Sequence, residues 1–199
     1  LVDTLLPIFT IQKLGWTNTE FSHIFSISTI VGGISGMMLG GLLVDYFGKK
    51  KMMSIYLVLL VVLLTTFSFI PQLWAHKSVI FGFIFAYYIL YTFLTIAVFA
   101  TAMNLCWKTV AATQFTLFMT LSNTGRSIGS WLIGVLKSYM IWDQIFLCVA
   151  VAPLLGLILF QFINLLKHQR SVAGFSSSIN PTSTDPEILE MRAELDNIF

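Results

Sequence analysis

Five stretches of this sequence stay apolar for about twenty residues or more, and that length decides what the chain can become. A hydrocarbon core about 30 Å thick needs about 20 helical residues to cross it. The stretches are 20–47, 52–70, 78–104, 112–136 and 144–166. The expected fold is therefore all-α, a polytopic transmembrane helix bundle. Composition points the same way: 57% of the 199 residues are hydrophobic and 10% are charged, against about 25% charged in a soluble domain. Such a chain excludes disorder, nucleic-acid binding, a secreted disulfide scaffold and a plain cytosolic enzyme.

Residues 1–12 are apolar but too short to span, and read as the end of a sixth helix. The chain begins without Met and without a basic stretch before its first apolar run. No signal peptide is expected, and Leu1 reads as a cut within a larger protein. Residues 1–166 then form a bundle of one truncated helix and five full spans. Thr17-Asn18-Thr19-Glu20 spells a capping box, and Trp16, Trp74, Trp107 and Trp142 fall at expected membrane surfaces. Alternating loops give Lys49, Lys50, Lys51, Lys108, Lys167 and Arg170 on one side and Lys13, Lys77 and Lys137 on the other. The richer side is expected in the cytoplasm. Residues 167–184 read as a cytoplasmic linker and 185–199 as a short cytoplasmic helix or a disordered tail. Asp185-Pro186-Glu187 has the chemistry of a helix start. Up to Arg170 there are ten Lys and Arg against four acids; beyond it there are one Arg and five acids. Cys106 and Cys148 read as small core residues, and with no Cys/His cluster no metal site or cofactor is expected.

Glycines Gly32, Gly36 and Gly40 recur every four residues in the second helix, and Gly125 and Gly129 repeat the spacing in the fifth. Such stripes let helices approach closely. Their matching positions suggest two three-helix halves, as in nested transporter repeats. Between the second and third helices stands Gly41-Leu42-Leu43-Val44-Asp45-Tyr46-Phe47-Gly48-Lys49-Lys50-Lys51. This resembles the loop signature G-x-x-x-D-R-x-G-R-K of the major facilitator superfamily, with Tyr46 in place of the basic residue after the Asp. Gly48 suits a tight turn, and Asp45 can face a helix N-terminus or a cation. The resemblance implies that Gly41, Asp45, Gly48, Lys49 and Lys50 form a gating loop.

Met103-Asn104-Leu105-Cys106-Trp107-Lys108, then Ala112-Thr113-Gln114-Phe115-Thr116-Leu117, then Leu121-Ser122-Asn123-Thr124-Gly125-Arg126 resemble the AmpG branch of that superfamily. The turn Leu14-Gly15-Trp16 fits the same branch. The resemblance covers residues 1–166 and implies a C-terminal six-helix half. Its partners would be a missing N-terminal half, the lipid bilayer, protons and a small-molecule solute.

Two charges fall at mid-membrane. Arg126, near the centre of its helix, should face a partner or a wet cavity. It reads as a site for an anionic substrate group, a switching ion pair, or a fixed ion pair. Asp3 lies about 15 Å from the outer end of its helix, at about 1.5 Å per residue. It reads as a proton-coupling or binding residue, since an intramembrane acid can carry a proton; helix capping or pairing is the other reading. Tyr88, Tyr91, Thr92 and Thr95 share a helix face and are expected to line a cavity, with Asn104, Gln114 and Asn123 as further polar positions.

The favoured reading is a secondary active transporter fragment working by alternating access. The AmpG resemblance implies proton-coupled import of anhydro-muropeptide across a bacterial inner membrane. Another organic anion such as acetyl-CoA remains open, as does a non-transporting receptor or scaffold of the same fold. No embedded catalytic set can be assembled, so no enzyme is expected.

Overall fold

A computed structural model describes residues 1–107 and 110–162. Within them every regular element is helical. Six helices follow in order: α1 Val2–Gln12, α2 Asn18–Phe47, α3 Lys49–Phe69, α4 Lys77–Leu105, α5 Ala111–Tyr139 and α6 Trp142–Phe162. Lys108, Lys167, Arg170, the linker 167–184 and the segment 185–199 lie outside the described residues.

The breaks between helices follow from local chemistry. Gly15, at φ +71°, turns the chain out of α1 in a backbone region that side chains disfavour. Thr17 then caps α2: its hydroxyl accepts from the Glu20 amide at 3.2 Å, and the Glu20 carboxylate accepts from the Thr17 amide at 2.9 Å. Gly48, at φ +88°, joins α2 to α3 in a single residue, its N–H donating to the Val44 carbonyl at 3.1 Å. Pro71–Ala75 forms a 3₁₀ turn between α3 and α4.

Helices α2, α3, α4 and α6 are each long and apolar enough to cross a membrane. The stretch expected as a span at 112–136 forms α5, with 29 residues and about 43 Å of length at 1.5 Å per residue. It is less apolar than the others because Thr116, Thr120, Ser122, Asn123, Thr124, Arg126, Ser127 and Ser130 thread it.

Lipid tails are as apolar as leucine, so the bundle is held by close packing rather than by escape from water. α3 packs against α4 and α6, and α4 packs against α2. The glycine face of α2 makes the last contact possible. A Cβ on Gly32 would lie 3.1 Å from Thr92 Oγ1, one on Gly36 2.8 Å from Ile96 Cδ1, and one on Gly40 3.1 Å from the same atom. Around these glycines α2 widens into a π-helical turn, Gly36–Gly40. Where α1 and α3 end and α6 begins, Phe9 packs edge-on against Trp74, Trp142 and Phe146 at 5.0, 5.4 and 5.0 Å between ring centres. Such pairs contribute about 0.5–1.5 kcal/mol each beyond burial. Trp74 is fixed by its indole N–H donating to the Phe67 carbonyl at 3.1 Å. α5 sits at the margin, with Gly129 and Ile133 as its buried residues.

Candidate functional site

A cavity of about 260 Å³ lies between five helices. Leu1, Val2 and Asp3 belong to its α1 side, Leu60 and Leu64 to α3, Tyr87 and Tyr91 to α4, Ser122, Gly125 and Arg126 to α5, and Val149, Ala152 and Pro153 to α6. Asp3 and Arg126, 123 positions apart in sequence, thus share one wall-to-wall space.

Arg126 projects from the middle of α5 and donates from Nη2 to the Tyr91 hydroxyl at 2.9 Å. Among the described residues no carboxylate lies within ion-pair distance of it. Its other N–H groups remain available to an anion, which a guanidinium can hold in two parallel hydrogen bonds. Asp3 has one carboxylate oxygen buried without a hydrogen-bond partner. A buried acceptor left unmatched costs about 1–3 kcal/mol, a cost removed by a donor. Next to it, Thr4 and Ser130 share a 2.7 Å hydrogen bond that ties α1 to α5. The Lys137 ammonium binds the Gln12 amide oxygen further along the same pair of helices.

Two prolines enter the geometry unannounced. Pro7 and Pro153 stand inside α1 and α6. A helical proline lacks the N–H that would bond the carbonyl four residues earlier. The carbonyls so deprived belong to Asp3 and Val149, both at the cavity. The helical spacing read from sequence placed no weight on either proline.

The expected face of α4 divides. Tyr91 lines the cavity, stacked on Tyr87 with 5.8 Å between ring centres. Tyr87 is the residue the sequence face left out; its signal is the four-residue spacing to Tyr91. Tyr88 instead is buried and meets Phe25 of α2 edge-on at 5.1 Å. Thr92 abuts Gly32 and Gly36 and donates to the Tyr88 carbonyl at 2.8 Å. Thr95 donates to the Tyr91 carbonyl at 2.7 Å. Neither Tyr88, Thr92 nor Thr95 is part of the cavity wall. Gln114 works at the turn before α5, where its side-chain oxygen accepts from the Trp107 amide at 2.7 Å. Asn104 and Asn123 are exposed. Of the α5 glycines, Gly129 lies against Leu1, whereas a Cβ on Gly125 would meet nothing within 4 Å and opens on the cavity.

At the α2–α3 turn, Asp45 is exposed and forms no ion pair among the described residues. Gly41 has nothing within 4 Å of where a Cβ would stand, so no close neighbour among the described residues requires a glycine there. Lys50 donates to the Gln161 carbonyl at 3.3 Å, joining the start of α3 to the end of α6. Lys51 lies over the Phe47 ring at 5.8 Å. Lys49 is half-buried. Among the described residues no group of three or more His, Cys, Asp and Glu gathers to hold a metal.

A sequence model described as Major Facilitator Superfamily matches residues 1–184. No curated protein and no solved structure matches the chain.

Proposed function

The chain belongs to the major facilitator superfamily, so it is an integral multi-pass membrane protein of a transporter family, and from that premise we propose a proton-coupled importer of anhydro-muropeptide or a related anionic solute. One observation carries the proposal: an arginine without a carboxylate partner among the described residues and an acid with an unmatched buried oxygen meet on one cavity. Arg126 receives the anionic group of the solute, with Tyr91 setting the guanidinium in place. Asp3 takes up and releases the coupling proton. The muropeptide assignment adds the AmpG-like stretches to that chemistry, since its carboxylates suit a guanidinium.

The exposed flank of α5 faces a second six-helix bundle, the N-terminal half of the working transporter. Access alternates as the two bundles rock about the solute. The α2–α3 turn, through Gly41, Asp45, Gly48, Lys49 and Lys50, latches the cytoplasmic side. The protein then sits in a bacterial inner membrane with residues 167–199 in the cytoplasm, and moves its solute without a chemical step or cofactor.

The test is uptake of labelled anhydro-muropeptide by the full-length protein in inverted and right-side-out vesicles, with and without a proton gradient. Gradient-dependent uptake that falls to the vesicle background in Asp3→Asn and Arg126→Ala is the expected result. Folded protein without uptake in either orientation removes the muropeptide assignment. Acetyl-CoA and other organic anions are then the solutes to try.

A further inference from the structure

A second and larger cavity, about 480 Å³, opens between the first turns of α2 and α4. It lies at the opposite end of these helices from the Lys49–Lys51 turn. Trp16, Ile24 and Phe81 give it an apolar interior, while His23, Lys77 and Ser78 bring polar groups to the same space. Trp16 is fixed there, buried to 7% exposure, with its amide donating to the Thr10 carbonyl at 3.1 Å.

The charges at the rim are unequal in what they still offer. Both oxygens of Glu20 are engaged, Oε2 by the Thr17 amide at 2.9 Å and Oε1 by Lys77 at 2.9 Å. Lys77 gives one N–H to that bond and stands 72% exposed. An ammonium has three donors, so two remain, beside the exposed His23 ring. What the rim presents is therefore donors for an anion. From His23 toward the membrane centre, Ile27, Ile30 and Ile34 follow at spacings of four, three and four residues, all exposed. Such spacing makes one stripe on a helix. A polar mouth with open N–H donors at interface depth, an apolar slot and an apolar stripe below it match an amphiphile with an anionic head and a long hydrocarbon tail.

We propose that this cavity binds a bilayer phospholipid, its phosphate on Lys77 and His23 and one acyl chain between Ile24 and Phe81. The lipid occupies the seam where α2 and α4 start. It is a site separate from the solute cavity and independent of what the protein transports.

Trp16 supplies the readout. The purified full-length protein in detergent is titrated with phosphatidylglycerol carrying dibrominated acyl chains, which quench nearby indoles. The quenching due to Trp16 is the difference between the wild type and Trp16→Phe. The expected result is a saturable Trp16 signal, reversed by unbrominated phosphatidylglycerol. Lys77→Gln raises the half-saturating concentration by about tenfold, the scale of one hydrogen bond to a charged group. Ile24→Phe narrows the slot while leaving the Glu20–Lys77 pair in place, and lowers the saturating amplitude. Quenching that rises linearly with lipid, or that is unchanged in both Lys77→Gln and Ile24→Phe, overturns the site. Displacement by glycerol phosphate as effective as by the whole lipid also overturns it, and assigns the cavity to a water-soluble anion.

Discussion

At the scale of single residues, Arg126 takes its direction from Tyr91 and, under the proposed function, its purpose from the solute. A hydrogen bond from guanidinium to phenol is held at 2.9 Å, and losing a bond to a charged group costs about 1.5–3 kcal/mol. Tyr91→Phe is therefore expected to weaken solute affinity by a factor of about ten to a hundred, with transport still measurable, whereas Arg126→Ala abolishes it. Equilibrium binding of the labelled solute to both variants checks the ordering; an unchanged affinity in Tyr91→Phe takes the positioning role from Tyr91. The two charged members of this site were legible from sequence because ionisable groups at mid-membrane are costly enough to stand out. Their meeting was not, since no local spacing relates position 3 to position 126. The same limit explains the division of the α4 face. A turn of about 100° per residue says which side chains are neighbours, not which neighbouring helix each one meets. Thr92 went to the glycines of α2, Tyr88 to Phe25 of the same helix, and Tyr87 took the cavity.

At the scale of elements, the α2–α4 contact shows how small residues act by where they point rather than by how often they recur. Gly33 and Gly36 stand three residues apart on α2. A Cβ on Gly36 would lie 2.8 Å from Ile96 Cδ1 and 3.0 Å from Thr92 Cγ2, but one on Gly33 meets nothing within 4 Å. Gly36→Ala must push α4 side chains aside, in a turn that is already π-helical. Gly33→Ala gains helix propensity of up to about 1 kcal/mol and disturbs no neighbour. The expected outcome is a lowered apparent Tm in detergent for Gly36→Ala and an unchanged or raised one for Gly33→Ala. Equal losses in both would mean that α2 tolerates no alanine for reasons unrelated to α4. The stripe of Gly32, Gly36 and Gly40 was readable in the sequence, as were four of the five expected spans and the Thr17 cap, because each rests on local period or local chemistry. The π turn was not, since a five-residue widening leaves no mark on hydropathy. The α5 stripe was only half legible, because Gly125 opens on space and Gly129 alone is closely approached.

At the scale of the whole molecule, the question is what covers the outer flank of α5. That flank carries Leu117, Leu121, Ile128 and Trp131, which suit lipid or protein alike. Its hydroxyls are also indifferent, because they bond within the helix: Thr116 to the Ala112 carbonyl, Thr120 to Thr116, Thr124 to Thr120 and Ser127 to Asn123. The decision falls to Asn123, exposed on the polar side of the same helix, since Arg126 turns to the cavity and Tyr91. An amide cannot be satisfied by acyl chains, so this side of α5 must border water or protein. If it borders the solute path, a thiol placed there meets water in at least one state of the transport cycle. In a background of Cys106→Ala and Cys148→Ala, Asn123→Cys is expected to react with a membrane-impermeant maleimide applied to vesicles of one orientation. Excess solute should slow that reaction. Ile128→Cys, five residues on and about 140° round the helix, tests whether the wet region is confined to the polar face, and should react far more slowly. Unreactive Asn123→Cys in both orientations, in protein that still transports, would bury this flank against another element and move the solute path elsewhere.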